Sequence, residues 1–322
     1  MSQNNSSTRL GFAFPGQGSQ SVGMVAALAA EFPEIKARYD VASEVLGFDL
    51  FKLVSEGPED ELNRTQNTQP ALLAASVATW DIWVNQGGPM PAVIAGHSFG
   101  EYSALVCAGA LDFAVAVGLV AERGRLMQEA VPAGEGAMAA ILGLDLAPLQ
   151  AACAEAAAAG GVCSCANLNA PGQIVIAGSS DAVDRACALA SARGAKRAMK
   201  LQVSVPAHCA LMSPAAETFA QRLADVKFET PRITVLHNVD VASHTDAATI
   251  RDALIRQLYS PVRWIETIEQ FAQAGVSHIA ECGPGKVLAP LIKRIDKNLQ
   301  TVALNEPAGL REFIALARNE LA

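Results

Sequence analysis

A serine between glycines, Gly96-His97-Ser98-Phe99-Gly100, is the stretch of this chain best suited to chemistry. The run ahead of it, Pro91-Ala92-Val93-Ile94-Ala95, is short, apolar and β-branched, is bounded by Pro89 and Pro91, and reads as a buried strand. The run after it, Glu101 through Ala110, is rich in Ala and Leu and reads as a helix. A serine on so sharp a turn exposes its hydroxyl, and the flanking glycines let the turn close. Free N–H groups at the start of the helix face any oxygen that becomes negative beside the serine. This layout serves acyl transfer through a serine nucleophile, with the N–H of Phe99 as one oxyanion donor.

A serine hydroxyl attacks well only when a base takes its proton, and the chain has five histidines. His97 adjoins Ser98, but neighbouring side chains on a strand point to opposite faces, so it is not the expected base. His237 and His278 lie in apolar strand runs that suit hydrogen-bonded structural roles, and His244 sits in a polar stretch expected to be solvated. His208 follows Val205-Pro206 and opens a predicted helix, Ala210–Asp225, whose dipole would keep the ring neutral. No Asp or Glu announces itself as the group that orients this base.

Arg123 is the second chemical feature. Its helical neighbours at i−4, i−3, i+3 and i+4 are Leu119, Val120, Leu126 and Met127, so it lies on an apolar stripe without an acidic partner. Arg125, by contrast, has Glu122 and Glu129 within reach. An inward arginine needs a carboxylate, either from a distant Asp or Glu or from a dicarboxylic acyl group held bidentately.

The elements that must position these residues follow an α/β pattern. Leu10–Phe14 and Ala92–Gly96 are predicted strands; Gln69–Asn85, with Pro70 in its first turn, and Asp112–Glu129, capped by Asp112, are predicted helices. After the break Pro132-Ala133-Gly134-Glu135-Gly136 the order becomes β-α-β-β-α-β. Its strands are Ala137–Leu142, Val162–Leu168, Gln173–Ala177 and Lys196–Leu201, with helices Leu146–Ala159 and Ser180–Arg193 and a turn at Asn169-Ala170-Pro171-Gly172. Val235–Asn238 and His278–Cys282 then return to the larger sheet, and Arg311–Leu321 forms a closing helix. The expected fold is therefore α/β: a large α/β-hydrolase-like domain with a parallel-rich sheet (9–132 and 204–322), a small inserted ferredoxin-like α+β subdomain (133–203) and a disordered N-terminus (1–8).

Phe12-Ala13-Phe14-Pro15-Gly16-Gln17-Gly18-Ser19-Gln20 ends the first strand in a glycine-rich turn, which is either a plain solvated turn or part of a site at the strand ends. Together with Gly96-His97-Ser98-Phe99-Gly100-Glu101-Tyr102 it resembles the signature stretches of the malonyl-CoA:acyl carrier protein transacylases. Similar motifs follow in order: Gln69-Pro70-Ala71-Leu72, Glu122-Arg123-Gly124, Val205-Pro206-Ala207-His208, Gln257-Leu258-Tyr259-Ser260-Pro261-Val262 and Glu281-Cys282-Gly283-Pro284-Gly285-Lys286. The resemblance covers nearly the whole chain after its first ten residues. It implies Ser98 as nucleophile, His208 as base, the Gln17 N–H as second oxyanion donor and Arg123 as the malonyl-binding arginine. It also implies that the main-chain carbonyl of Gln257 holds His208, the alternative for that position being an exposed helix-terminal polar residue. Ala207 stands where many relatives carry serine or a larger residue, which bears on how strictly malonyl is preferred.

Composition sets the remaining bounds. With 322 residues, 51% hydrophobic and 17% charged, the chain can bury a large core. Its longest apolar runs fall short of the ~20 residues of a membrane span, and the polar start lacks a signal segment, so a cytoplasmic, monomeric enzyme is expected. A net charge of −8 argues against nucleic acid. The seven cysteines are expected to be reduced and mostly buried, because Cys163-x-Cys165 lacks a second pair or nearby histidine for zinc. Gly283-Pro284-Gly285-Lys286 is not a phosphate loop, since Ala280 and Val287 stand where that pattern needs Gly and Ser or Thr.

The expected function is malonyl transfer from malonyl-CoA to acyl carrier protein, supplying fatty acid biosynthesis, with no metal or bound cofactor. Transfer for polyketide synthesis and hydrolysis of the same acyl-serine are the alternatives; a non-catalytic scaffold need not keep Ser98, His208 and Arg123. Because carriers are generally acidic, two basic groups are expected to dock one: Lys196, Arg197 and Lys200 on the last inserted strand, and Lys286, Lys293 and Lys297 along one helical face.

Overall fold

The computed structural model describes residues 9–201 and 205–321. The expected disordered N-terminus and the boundary at 203/204 lie outside the described residues. Among the described residues nine strands form two sheets. In chain order they are β1 (Leu10–Phe14), β2 (Val93–Gly96), β3 (Gly136–Leu142), β4 (Cys163–Ala170), β5 (Gln173–Ser179), β6 (Arg197–Lys200), β7 (Thr234–Leu236), β8 (His278–Glu281) and β9 (Gln300–Ala303).

The larger sheet runs β7-β2-β1-β8-β9, and every pairing in it is parallel. Both faces are covered, which is why β1 and β2 are continuous apolar runs rather than alternating ones. On one side Phe12 meets Trp80 and Trp83 edge-on at 5.2 and 5.1 Å, beneath the helices Thr65–Asn85 and Phe113–Glu129. On the other, Ala13 and Ala95 pack against Trp264, Ile268 and Leu288. The strand order reverses around β1, so the loops after β1 and β2 meet where open α/β sheets bind ligands.

The second sheet, β4-β5-β3-β6, is antiparallel, and its helices Leu146–Ala158 and Ser180–Ala192 pack on one face around Ile141, Ile174 and Ile176. This is the expected β-α-β-β-α-β order. Main-chain bonds from Leu168 to Val262 and from Val262 to Ala166, each 2.9 Å, join it to the larger unit.

Several local expectations need correction. The helix before β2 begins at Thr65, so Pro70 lies in its interior rather than its first turn. β4 continues through Ala170, leaving Pro171-Gly172 as the turn. The helix after Gly285 spans only Leu288–Ile295, so Lys286 and Lys297 flank it and share no helical face with Lys293. His244 is half-buried and bonded to Asp240 at 3.1 Å rather than solvated. The edge strand β9, with the polar sequence Gln-Thr-Val-Ala, carries no alternation by which it could be foreseen. All seven cysteines are free and six are buried. Among the described residues no helix is long and apolar enough to cross a membrane.

Candidate active site

Ser98 sits at the C-terminal end of β2 with φ at 54°, just before the helix Gly100–Cys107. The glycines are required by contact as well as by the turn. A Cβ on Gly96 would lie 1.8 Å from the carbonyl carbon of Gly100, and one on Gly100 would lie 2.5 Å from the Phe14 oxygen. The elbow is thereby pressed onto the loop after β1, which carries Gln17.

His208 also has a left-handed backbone, φ 61°, and its Nε2 lies 2.7 Å from the Ser98 Oγ. Two strained non-glycine residues facing each other mark a geometry the fold enforces at some cost. The His208 Nδ1 lies 2.8 Å from the main-chain oxygen of Gln257. A carbonyl only accepts, so Nδ1 carries the proton and Nε2 is left to receive the serine's. Gln257 ends the helix Ala247–Gln257 and is buried, which decides between the two readings its position allowed.

Burial, and then the nearby Arg123 charge, lower the His208 pKa from 6.5 to about 3. The expectation was neutrality from a helix dipole. The segment after His208 is a 3-10 turn, Ala210–Met212, and the α-helix starts only at Ser213, so the dipole is too distant to act and burial does the work. The unfolded imidazole takes a proton near pH 6.5 and the folded one near pH 3, so this group's contribution to stability is lost as pH falls through that window. Acylation of Ser98 by a reactive uncharged ester is accordingly expected to show no acid limb near pH 6.5. A stopped-flow profile with a limb centred there would show an ordinary, solvated imidazole.

Arg123 is fully buried. Its Nη1 donates to Gln69 Oε1 and its Nη2 to Gln257 Oε1, both at 3.0 Å, and Nη2 lies 3.4 Å from the Ser98 Oγ. Its Nε has no acceptor. None of the ion pairs among the described residues includes Arg123, so the distant structural salt bridge is not formed. Arg125 pairs with Glu122 at 2.7 Å and Glu129 at 2.5 Å, as expected. Burial pulls the Arg123 pKa down, more than the nearby Tyr102 and Glu101 raise it.

Around these groups a cleft of about 650 Å³ opens between the two sheets, lined by Gln17, Ser98, Ala207 and His208 on one side and Met138 and Asn169 on the other. The main-chain N–H groups of Gln17 and Phe99 make no main-chain hydrogen bond among the described residues. His97 is not the base: its Nε2 meets Asn169 Oδ1 at 2.8 Å. His237 bonds Glu101 at 2.6 Å, in the structural role expected of it. Among the described residues no cluster of three or more His, Cys, Asp or Glu is placed to hold a metal.

Three site residues escaped the sequence reading. Gln69 had a motif but no role, and it holds Arg123. Asn238 accepts from the Ser98 N–H and donates to the Gly96 oxygen, both at 2.7 Å, which pins the elbow. Glu101 lies behind it, bonded to Gln257. Asn238 stands 140 residues from Ser98, so no local pattern could join them.

Residues 11–309 match the family model of the acyl transferase domain. The chain is 58% identical over 303 residues to the malonyl CoA-acyl carrier protein transacylase of Salmonella typhimurium, covering 94% of this chain and 98% of that one. It is 45% identical over 313 residues to the enzyme of that name from Bacillus subtilis, covering 97% and 98%. Among solved structures, an acyl carrier protein S-malonyltransferase from Vibrio cholerae superposes with a TM-score of 0.93 at 56% identity, covering 95% and 100%. A malonyl-transacylase in complex with a type II PKS acyl-carrier protein gives 0.94 at 52% identity, covering 95% and 99%.

Proposed function

As a member of the acyl transferase domain family this chain is an acyltransferase, and we propose that it moves malonyl from malonyl-CoA to the phosphopantetheine thiol of an acyl carrier protein, supplying fatty acid biosynthesis. The observation that carries the reading is Arg123: a buried guanidinium with a free Nε, no acidic partner and its Nη2 beside the nucleophile. A carboxylate one methylene away from a thioester carbonyl would complete its hydrogen bonds while placing that carbonyl at Ser98.

The reaction runs in two balanced halves. As the Ser98 Oγ attacks the thioester carbon, His208 Nε2 takes its proton, and the Gln17 and Phe99 N–H groups receive the oxyanion. The C–S bond breaks, His208 returns the proton to the departing CoA sulfur, and malonyl remains as an ester on Ser98. The carrier thiol then gives its proton to His208, attacks the ester carbon, and Ser98 leaves with its proton restored. A base held near pKa 3 is weak, and the substrate helps here. Its carboxylate neutralises Arg123, removing the part of the opposition to imidazolium formation that comes from that charge rather than from burial.

Intact-mass measurement after malonyl-CoA, with and without carrier, tests the reading. One added malonyl group that then passes to carrier supports transfer; prompt loss to water without carrier would favour a thioester hydrolase.

Carrier docking is part of the proposal. Lys196, Arg197 and Lys286 are exposed, and Lys286 adjoins Val287 and Leu288 on the cleft rim. Lys200 is already paired with Asp184 at 2.7 Å and drops out of the patch. Lys196→Glu with Lys286→Glu is expected to raise the carrier KM most at low salt, because screening weakens surface attraction beyond ~10 Å at 0.1 M. Adduct formation from malonyl-CoA should change much less. A carrier KM insensitive to both the reversals and ionic strength places docking elsewhere.

A further inference from the structure

We propose that Glu101 is a positioning residue for the transfer, acting through Gln257, so that one buried carboxylate sets both the base and the acyl-binding arginine. The inference rests on the function proposed above and assigns a role to a residue that touches neither substrate nor nucleophile oxygen.

Glu101 is fully buried in the helix that Ser98 precedes. Its Oε1 faces His237 Nδ1 at 2.6 Å, and its Oε2 receives the Asn238 N–H at 2.9 Å and the Gln257 Nε2 at 2.8 Å. The Asn238 and Gln257 partners are donors, as an acceptor-only carboxylate requires. Gln257 in turn spends both hydrogens of its amide, one on Glu101 and one on the Ser98 carbonyl at 3.0 Å. Its Oε1 is thereby turned toward Arg123 Nη2, and its main-chain oxygen toward His208 Nδ1.

The orientation of that amide is the point of control. Flipped, it would set an oxygen against two acceptors, Glu101 and the Ser98 carbonyl, and an NH2 against the guanidinium. Glu101 therefore reaches Arg123 only through a relay, Glu101 to the Gln257 NH2, then from the Gln257 Oε1 to the Arg123 Nη2. Direct contact would give the guanidinium a counter-charge within the protein. The relay leaves its Nε without a partner. His237 bonds the same carboxylate but not Gln257, which separates holding Glu101 in place from orienting the site.

Rapid-quench measurement of the rate constants for acetyl- and malonyl-enzyme formation tests this, because those constants do not depend on how much protein folds. Glu101→Met keeps length and volume but removes both acceptors; malonylation should slow about tenfold or more, and the malonyl-to-acetyl ratio should narrow several-fold. Glu101→Gln, whose carbonyl can still receive Gln257 and Asn238, should recover most of the ratio. His237→Phe should lower the melting temperature while leaving the ratio at the parental value. If Glu101→Met yields too little protein, Gln257→Leu is the deciding variant. It removes the relay itself and should narrow the ratio as far. A parental ratio in Glu101→Met, or in Gln257→Leu, overturns the proposal. A parent protein that forms no adduct on Ser98 overturns the functional reading instead.

Discussion

Ser98→Ala should abolish the malonyl adduct altogether. The parent protein, exposed to malonyl-CoA without carrier, should gain one malonyl group on Ser98 and lose it when carrier is added. Alanine removes the hydroxyl placed to attack while Asn238, Gln257 and Arg123 stay in place. His208→Ala leaves the nucleophile but takes away the acceptor 2.7 Å from its oxygen. Adduct formation should then slow by about a hundredfold to ten-thousandfold, the usual worth of a positioned general base. Peptide mapping of the intact adduct checks the site. An adduct that persists in Ser98→Ala, or that maps to a cysteine, sinks the assignment; Cys209, the thiol next in sequence to His208, is buried and its pKa is raised to about 11.

The second large effect is expected from Arg123→Ala. Deleting one partner of a buried charge pair costs roughly 2–5 kcal/mol, so malonyl transfer should fall by about thirtyfold to several-thousandfold. Acetyl transfer makes no use of the guanidinium and should hold steady or improve. Removing the cation also relieves part of the charge that keeps His208 neutral, which favours the base toward uncharged acyl groups. Steady-state kcat/KM for the two acyl donors decides the matter. Equal losses would make Arg123 a structural residue.

Much of this site was legible because its parts are local. The elbow is a five-residue pattern between a strand and a helix, and its glycines are dictated by backbone contacts of less than 3 Å. The inward Arg123 followed from helical spacing alone, since 3.6 residues per turn put it among Leu119, Val120, Leu126 and Met127. The β-α-β-β-α-β order was visible for the same reason, as each element announces itself over a handful of residues.

What the sequence determined by itself, then, were the chemical groups and the elements that carry them. It chose a serine on a sharp turn, an arginine on an apolar stripe, and runs apolar enough to be buried on both faces. Tertiary structure decided which groups meet. Ser98 reaches His208 across 110 residues and Asn238 across 140, and Gln257 joins Ser98, Glu101 and Arg123 from a helix end whose alternative was exposure to solvent. It also decided the electrostatics: His208 is neutral because packing excludes water and brings a guanidinium close, not because of the helix that follows it. Local periodicity reports which face of an element is buried. Burial depth, charge proximity and hydrogen-bond partners are properties of the packed whole, and they arise only when distant segments share one cleft.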